Sequence, residues 1–213
     1  MRKKHIIILI ITSIIILMPM VAGLVLWNDL PELMATHFDA KGNADGYSSK
    51  SFAVFGLPLI VLGLQLIGFF ATRLDPKKRN IPDKALEIVL WICPAVSVLC
   101  GGATYAHALD IPIPFVTIII AFMGILFTIT GNYLPKCKQN YTVGIKVPWT
   151  LSDEEIWNKT HRFAGFVWTA GGIIVVITAV LKSFILFISV TMTMAFLPII
   201  YALVLYKRKN GNS

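Results

Sequence analysis

Apolar blocks of bilayer length alternate with short polar breaks along this chain. Six such blocks stand out, at residues 6–27, 52–72, 85–109, 112–131, 164–181 and 184–206. About 20 apolar residues in a helix cross the hydrocarbon core of a membrane. Peptide groups in lipid must be satisfied within their own segment, so each block is predicted to be an α-helix. The short alternating pattern of an outer-membrane barrel is missing. Only Lys182 and Ser183 separate the last two blocks. A continuous helix over 164–206 would be about 64 Å long at 1.5 Å per residue, twice the bilayer. The pattern therefore predicts a tight helical hairpin. Pro94 and Pro198 fall inside blocks, as membrane helices tolerate. The predicted fold is an all-α integral membrane protein of six transmembrane helices. It has an amino-terminal two-helix region (1–84) and a four-helix region (85–213).

Composition agrees. Of 213 residues, 56% are hydrophobic and 14% charged, with a mean hydropathy of +0.75, far from the roughly one-quarter charged of a soluble domain. A soluble enzyme, a nucleic-acid-binding domain and a disordered chain are excluded. The net charge of +8 then bears on orientation. With the N-terminus inside, sixteen Lys and Arg face the cytoplasm, and only Lys41, Lys50 and Lys182 lie outside. This asymmetry predicts both termini cytoplasmic. Arg2, Lys3 and Lys4 open the chain as a signal peptide would. The apolar run that follows is too long for a signal core, and Met20 and Ala22 make a poor cleavage site, so a retained first helix is expected.

The spans hold few groups able to do chemistry. His107 and Glu87 lie near opposite ends of the third and Gln65 within the second, too few for the intramembrane charges of proton relays. His107 reads as an interface residue beside Tyr105. His5, His37, His107 and His161 divide between the two faces, and no His-Glu-x-x-His motif occurs, so no metal site is expected. Residues 39–46 superficially suggest a calcium loop, but Lys41 and Ala44 occupy positions that need a ligand and a glycine. Turn chemistry is the simpler reading. Cys93 and Cys100 lie two turns apart on one helix face, too far for a disulfide, and Cys137 is placed in the reducing cytoplasm. No phosphate loop or nucleophile elbow is present. The chain is predicted to be no enzyme and to need no cofactor.

Two loops are long enough to carry specificity: an outer one at 28–51 and a cytoplasmic one at 132–163. In the second, Ser152 and Glu155 have the spacing of a capping box, which predicts a helix from Asp153 running into the fifth span. Asp153 and Glu154 suit its positive end. Trp157 and His161, four apart, share a face. With Trp149, they suggest a segment lying at the inner interface. It serves either as a membrane anchor or as a docking surface for a cytosolic protein. His161 and Arg162 could also pair with Glu154 or Glu155.

Here the chain resembles a known family. The run Gly131-Asn132-Tyr133-Leu134-Pro135-Lys136, then Asn140, Gly144 to Leu151, Trp157 and Thr160-His161-Arg162 are similar to the signature of the SdpI family of bacterial membrane proteins. Many relatives carry arginine where Lys146 stands. Leu30-Pro31, His37-Phe38, Gly42, Asp45-Gly46-Tyr47 and Lys50 resemble the small domain of unknown function that commonly precedes it. The resemblance implies a multi-pass protein of the bacterial inner membrane. The implied role is immunity to a secreted toxin peptide, and also a receptor that holds a cytosolic winged-helix repressor at the membrane. Membrane lipid, the toxin peptide and the repressor are the implied partners, with no direct nucleic-acid binding. Candidate partner-binding residues on the inner loop are Asn140, Gly144, Trp149, Trp157, His161 and Arg162. Candidate toxin-facing residues on the outer loop, which carries a net −2, are His37, Asp39, Gly42, Asp45 and Gly46. A small transporter or lipid-handling protein is the alternative.

Overall fold

The computed structural model describes residues 3–211; Arg2, counted above among the inner charges, lies outside them. Six helices are long and apolar enough to cross a membrane. In chain order the elements are α1 (Lys3–Val25), strands β1 (Leu33–Phe38) and β2 (Ala44–Ser49), a π-helical turn (Phe52–Gly56) leading into α2 (Leu57–Leu74), α3 (Asp83–Ala108), α4 (Phe115–Tyr133), a short α5 (Pro148–Ser152), α6 (Glu154–Val180) and α7 (Phe184–Asn210).

The six predicted spans are all present, but the all-α reading needs correction. The loop at 28–51 folds into an antiparallel hairpin of β1 and β2. Its backbone, outside the apolar spans, satisfies itself across strands instead of along a helix. Asp39 makes the turn: its Oδ1 accepts the N–H groups of Lys41 and Asn43, both at 2.8 Å. Gly42 sits at φ 91° in the same turn. The fourth span also starts later than its apolar block, at Phe115. Pro112 and Pro114 disfavour helix at the residues before them.

The chain forms two compact units, Met1–Phe70 with Glu87–Val116, and Ala71–Leu86 with Thr117–Ser213. Both units are discontinuous in sequence. In the first unit the Ser97 hydroxyl donates to Ile16 O (2.8 Å) and the Tyr105 hydroxyl to Pro19 O (2.7 Å). Gln65, the main polar side chain of its apolar span, donates to the hydroxyls of Thr12 and Ser13, both at 3.1 Å. Lys4 pairs with Glu87 at 2.6 Å.

In the second unit α4 and α6 touch backbone to backbone. Gly124 and Gly131 on α4, and Gly165 and Gly172 on α6, each recur at a spacing of seven. A Cβ on Gly172 would lie 2.5 Å from Thr128 N and 2.6 Å from Gly124 O, and one on Gly124 would lie 2.7 Å from Gly172 O. Small residues permit this approach where apolar burial cannot drive helix association.

The predicted hairpin between the last two spans is present, with only residues 181–183 between α6 and α7. Ser183 N–H reaches Thr178 O and Lys182 N–H reaches Ala179 O, and Lys182 sits at φ 52°. The end of α3 repeats the pattern: Ile111 N–H to Ala106 O, Asp110 N–H to His107 O, and Asp110 at φ 53°. Both are Schellman endings, in which a left-handed residue, usually glycine, closes the helix. Left-handed conformation costs other residues about 1–2 kcal/mol. Lys182→Gly and Asp110→Gly are each expected to stabilise the protein by about 1 kcal/mol, measured as a raised denaturation midpoint in detergent. A lowered midpoint in both would contradict this account of the turns.

Candidate functional site: the α4–α6 loop and the β1–β2 hairpin

α6 has 27 residues, about 40 Å at 1.5 Å per residue, against a core of about 30 Å. That is about two turns more than the core needs, and the first turns of α6, which carry its charged residues, organise the loop from α4. The helix begins one residue later than its sequence suggested. Asp153, not Ser152, is the N-cap: its backbone is extended, and its side chain accepts from Glu155 N–H (2.8 Å) and Ile156 N–H (3.1 Å). Ser152 belongs to α5. Hydrogen bonding and charge from Lys209 hold the Asp153 carboxyl below its usual range. Lys209 pairs with Asp153 at 2.7 Å and Glu155 at 2.9 Å, tying the end of α7 to the start of α6.

Two stripes run up these turns. The exposed one carries Glu154, Glu155, Asn158, Lys159 and Arg162. The buried one carries Ile156, Trp157, Thr160, His161 and Ala164. Trp157 and His161 do share a face, stacked with ring centroids 3.9 Å apart, but it is the enclosed one, and they are 0% and 1% exposed. Trp157 Nε1 donates to Cys137 O at 2.8 Å. His161 Nε2 accepts Ile145 N–H at 2.9 Å, which leaves its other nitrogen, Nδ1, to donate to Trp157 O at 2.9 Å. His161 is thus a neutral imidazole with both nitrogens committed to backbone. It does not pair with Glu154 or Glu155; Glu155 pairs with Lys159 and Lys209.

The loop is built against this stack. Gly144 adopts φ 127°, and a Cβ there would collide with His161 Nε2 and press the Trp157 ring. Asn140, wholly buried, accepts from Thr142 and Val143 N–H through Oδ1 and donates to Lys138 and Val143 carbonyls through Nδ2. Thr150, within the quoted signature, and three residues that the sequence did not single out complete the assembly. Gln139 donates to the carbonyls of Thr150 and Leu151 and accepts from Lys77 Nζ. Asn80 Nδ2 donates to Gln139 O at 2.7 Å. The Thr150 hydroxyl reaches Ile145 O at 2.8 Å. Asp75 Oδ2 accepts from Tyr141 N–H (2.9 Å) and the Thr142 hydroxyl (2.6 Å), and Oδ1 from Lys77 N–H (2.7 Å). Burial acts to raise the Asp75 carboxyl, but these donors outweigh it and hold it below its usual range. The available signal was a cluster of carboxylate and amides, Asp75, Asn80 and Gln139, flanking apolar spans. Burial pushes the Cys137 thiol up to about 11, so it stays protonated at neutral pH.

Of the six candidates on the α4–α6 loop and the start of α6, Asn140, Trp157 and His161 are enclosed. Gly144 is half-buried beneath them. Trp149 is half-buried and lies 6.4 Å, centroid to centroid, from the Tyr206 ring; Arg162 is exposed. A docking partner could reach only the last two and the polar stripe around Arg162.

The candidates of the 28–51 loop gather in the hairpin. His37 Nδ1 and Asp45 Oδ1 pair across it at 2.5 Å. Asp39 and Gly42 form its turn. A Cβ on Gly46 would lie 2.8 Å from the Cβ of His37. Hydrogen bonds, first from the Asn43 side chain, hold the Asp39 carboxyl below its usual range. Lys50, 7% exposed, donates to Trp27 O (3.2 Å), lies over the Trp27 ring and pairs with Glu32 (3.0 Å). The Phe38 ring meets His107 at 5.4 Å and Phe115 at 6.3 Å.

Comparison with known proteins matches these two blocks separately. Residues 136–202 match the SdpI/YfhL protein family, and residues 14–62 match a domain of unknown function, DUF1648. The immunity protein SdpI of Bacillus subtilis (strain 168) is 27% identical over 210 residues, covering 95% of this chain and 98% of that protein. No solved structure matches. The chain is thus similar to the SdpI/YfhL family over 136–202 and to DUF1648 over 14–62, and its similarity to the immunity protein SdpI runs nearly the whole length of both chains.

Proposed function

We propose that this protein confers immunity to a secreted toxin peptide at the bacterial inner membrane, with both termini cytoplasmic, by binding and not by catalysis. The similarity to an immunity protein over nearly the whole of both chains carries the reading. The orientation rests on the inner excess of Lys and Arg. Deleting the gene is expected to sensitise the cell to culture fluid of its toxin-producing kin, and the restored gene to return survival. Equal survival with and without the gene would reject immunity.

The receptor role goes further: toxin met on the outer hairpin, and a cytosolic repressor held on the inner face. The exposed stripe Glu155, Asn158, Lys159 and Arg162 is the surface that suits docking, since the tryptophan beneath it is enclosed. Arg162→Ala is expected to lower membrane recruitment of a tagged repressor about tenfold while survival stays intact, because charged anchors at an interface commonly contribute 1–2 kcal/mol or more. Parallel loss of recruitment and survival at equal protein level would instead assign Arg162 to folding.

A further inference from the structure

The hairpin ends in an open strand edge that fits a second copy of itself. Tyr47, Ser48 and Ser49 pair in unbroken register with Ala35, Met34 and Leu33, before the register shifts beyond Ala35. Lys50 N–H continues the ladder to Glu32 O at 2.9 Å. That makes Glu32/Lys50 a hydrogen-bonded pair, and alternation makes Met34/Ser48 the next. The intervening pairs, Leu33/Ser49 and Ala35/Tyr47, turn their N–H and C=O groups away from the ladder. On β1 this edge includes Ala35, which is buried (1%). On β2 both residues, Tyr47 and Ser49, are exposed. Among the described residues no backbone hydrogen bond from outside the hairpin reaches either one. Tyr47, Ser48 and Ser49 hold no charge, proline or register shift, the devices with which natural edges are blunted.

We propose that this edge is a homodimer contact, in which β2 of two copies pairs antiparallel about Ser48 to give a four-stranded sheet. Two observations favour a second copy over a foreign strand. The outward groups are self-complementary: with the axis at Ser48, Tyr47 of each copy faces Ser49 of the other, and the outward donors and acceptors of all four residues are used. The axis is also the one a membrane imposes. Antiparallel strands of one sheet are related by a two-fold axis normal to the sheet. The hairpin lies across helix ends, from Met34 packed with Val54 and Tyr105 to Phe38 against His107 and Phe115. Its normal therefore runs along the helices, and copies inserted alike in one bilayer are related by rotation about that same direction. The contact is isologous, as closed dimers require. It does not depend on the immunity reading.

The test is cross-linking in native membranes. The full chain, with Cys93, Cys100 and Cys137 replaced by alanine, is co-expressed under two tags, one copy carrying Tyr47→Cys and the other Ser49→Cys. A short bifunctional maleimide is expected to give mixed-tag dimers. Leu33→Cys, also exposed but on the far strand, is expected to link to either position at least about tenfold less. Adding Tyr47→Pro to the Ser49→Cys copy removes an edge donor and is expected to lower the yield about tenfold, while Tyr47→Ala there preserves it. A chain that stays monomeric leaves the edge to a foreign strand and overturns the proposal. So does equal linking from Leu33, or an equal effect of proline and alanine.

Discussion

Replacing Gly172 by leucine is expected to abolish accumulation of the folded protein. The reason is local. A first side-chain carbon would already lie 2.5 Å from the backbone nitrogen of Thr128 and 2.6 Å from the carbonyl oxygen of Gly124, so backbone, not a flexible side chain, would have to move. Overpacking of this kind costs about 1–3 kcal/mol where side chains yield, and more where they cannot. Even alanine at Gly124, Gly131 or Gly172 is expected to cost at least about 2 kcal/mol on the same grounds. Gly63 and Gly102 supply the internal control, because nothing lies within 4 Å of a Cβ built there. At those positions alanine is expected to be neutral, or stabilising by up to about 1 kcal/mol through helix propensity. Denaturation midpoints in detergent distinguish the two groups. If alanine at Gly172 and at Gly63 proved equivalent, α4 and α6 would not be in backbone contact.

The contrast between these glycines shows what a single sequence makes legible. Six spans followed from block length, because lipid leaves backbone no alternative to internal hydrogen bonding. The short hairpin at Lys182 followed from the same length limit. Which glycines face a partner helix did not follow, since Gly63 and Gly124 look alike in an apolar run and differ only in what packs against them. The outer loop was read as turns, and its turn was right: Asp39 and Gly42 do what their side chains favour. The strands were missed because β1 and β2 have six residues each, and their pairing depends on Met34 resting on helix ends. The pairing of Trp157 with His161 was visible from spacing, whereas the face they occupy was not. Spacing fixes which residues share a stripe. Which stripe is buried depends on a loop folded back from residues 137–147, and that loop is held by Asp75 and Asn80 from a distant part of the chain.

That dependence makes the second large effect predictable. Trp157→Ala is expected to cost about 3–5 kcal/mol, the range for emptying an enclosed aromatic site. It would open the loop, not merely remove a surface contact. Cys137 reports the opening directly. Its carbonyl accepts the Trp157 indole hydrogen, and its thiol is buried and held protonated, its pKa pushed up to about 11, so a maleimide labels it slowly in the intact protein. Labelling of a transiently opened site follows the open population. The alanine variant, with Cys93 and Cys100 replaced, is therefore expected to label at least about a hundredfold faster, since each 1.4 kcal/mol is tenfold. Gly144→Ala is expected to act in the same direction without touching the tryptophan, because its new carbon would meet the His161 ring in a left-handed conformation. Trp157→Phe keeps most of the ring and leaves the Cys137 carbonyl without its donor, a loss of about 1–3 kcal/mol and an increase of about tenfold or more. Arg162→Ala lies on the opposite stripe and is expected to leave labelling unchanged. This ordering separates positioning from docking: Trp157, His161 and Gly144 shape the loop, and Arg162 is free to meet a partner. Unchanged labelling in Trp157→Ala and Gly144→Ala alike would show that the loop stands without its aromatic stack, and the enclosed tryptophan would need another explanation.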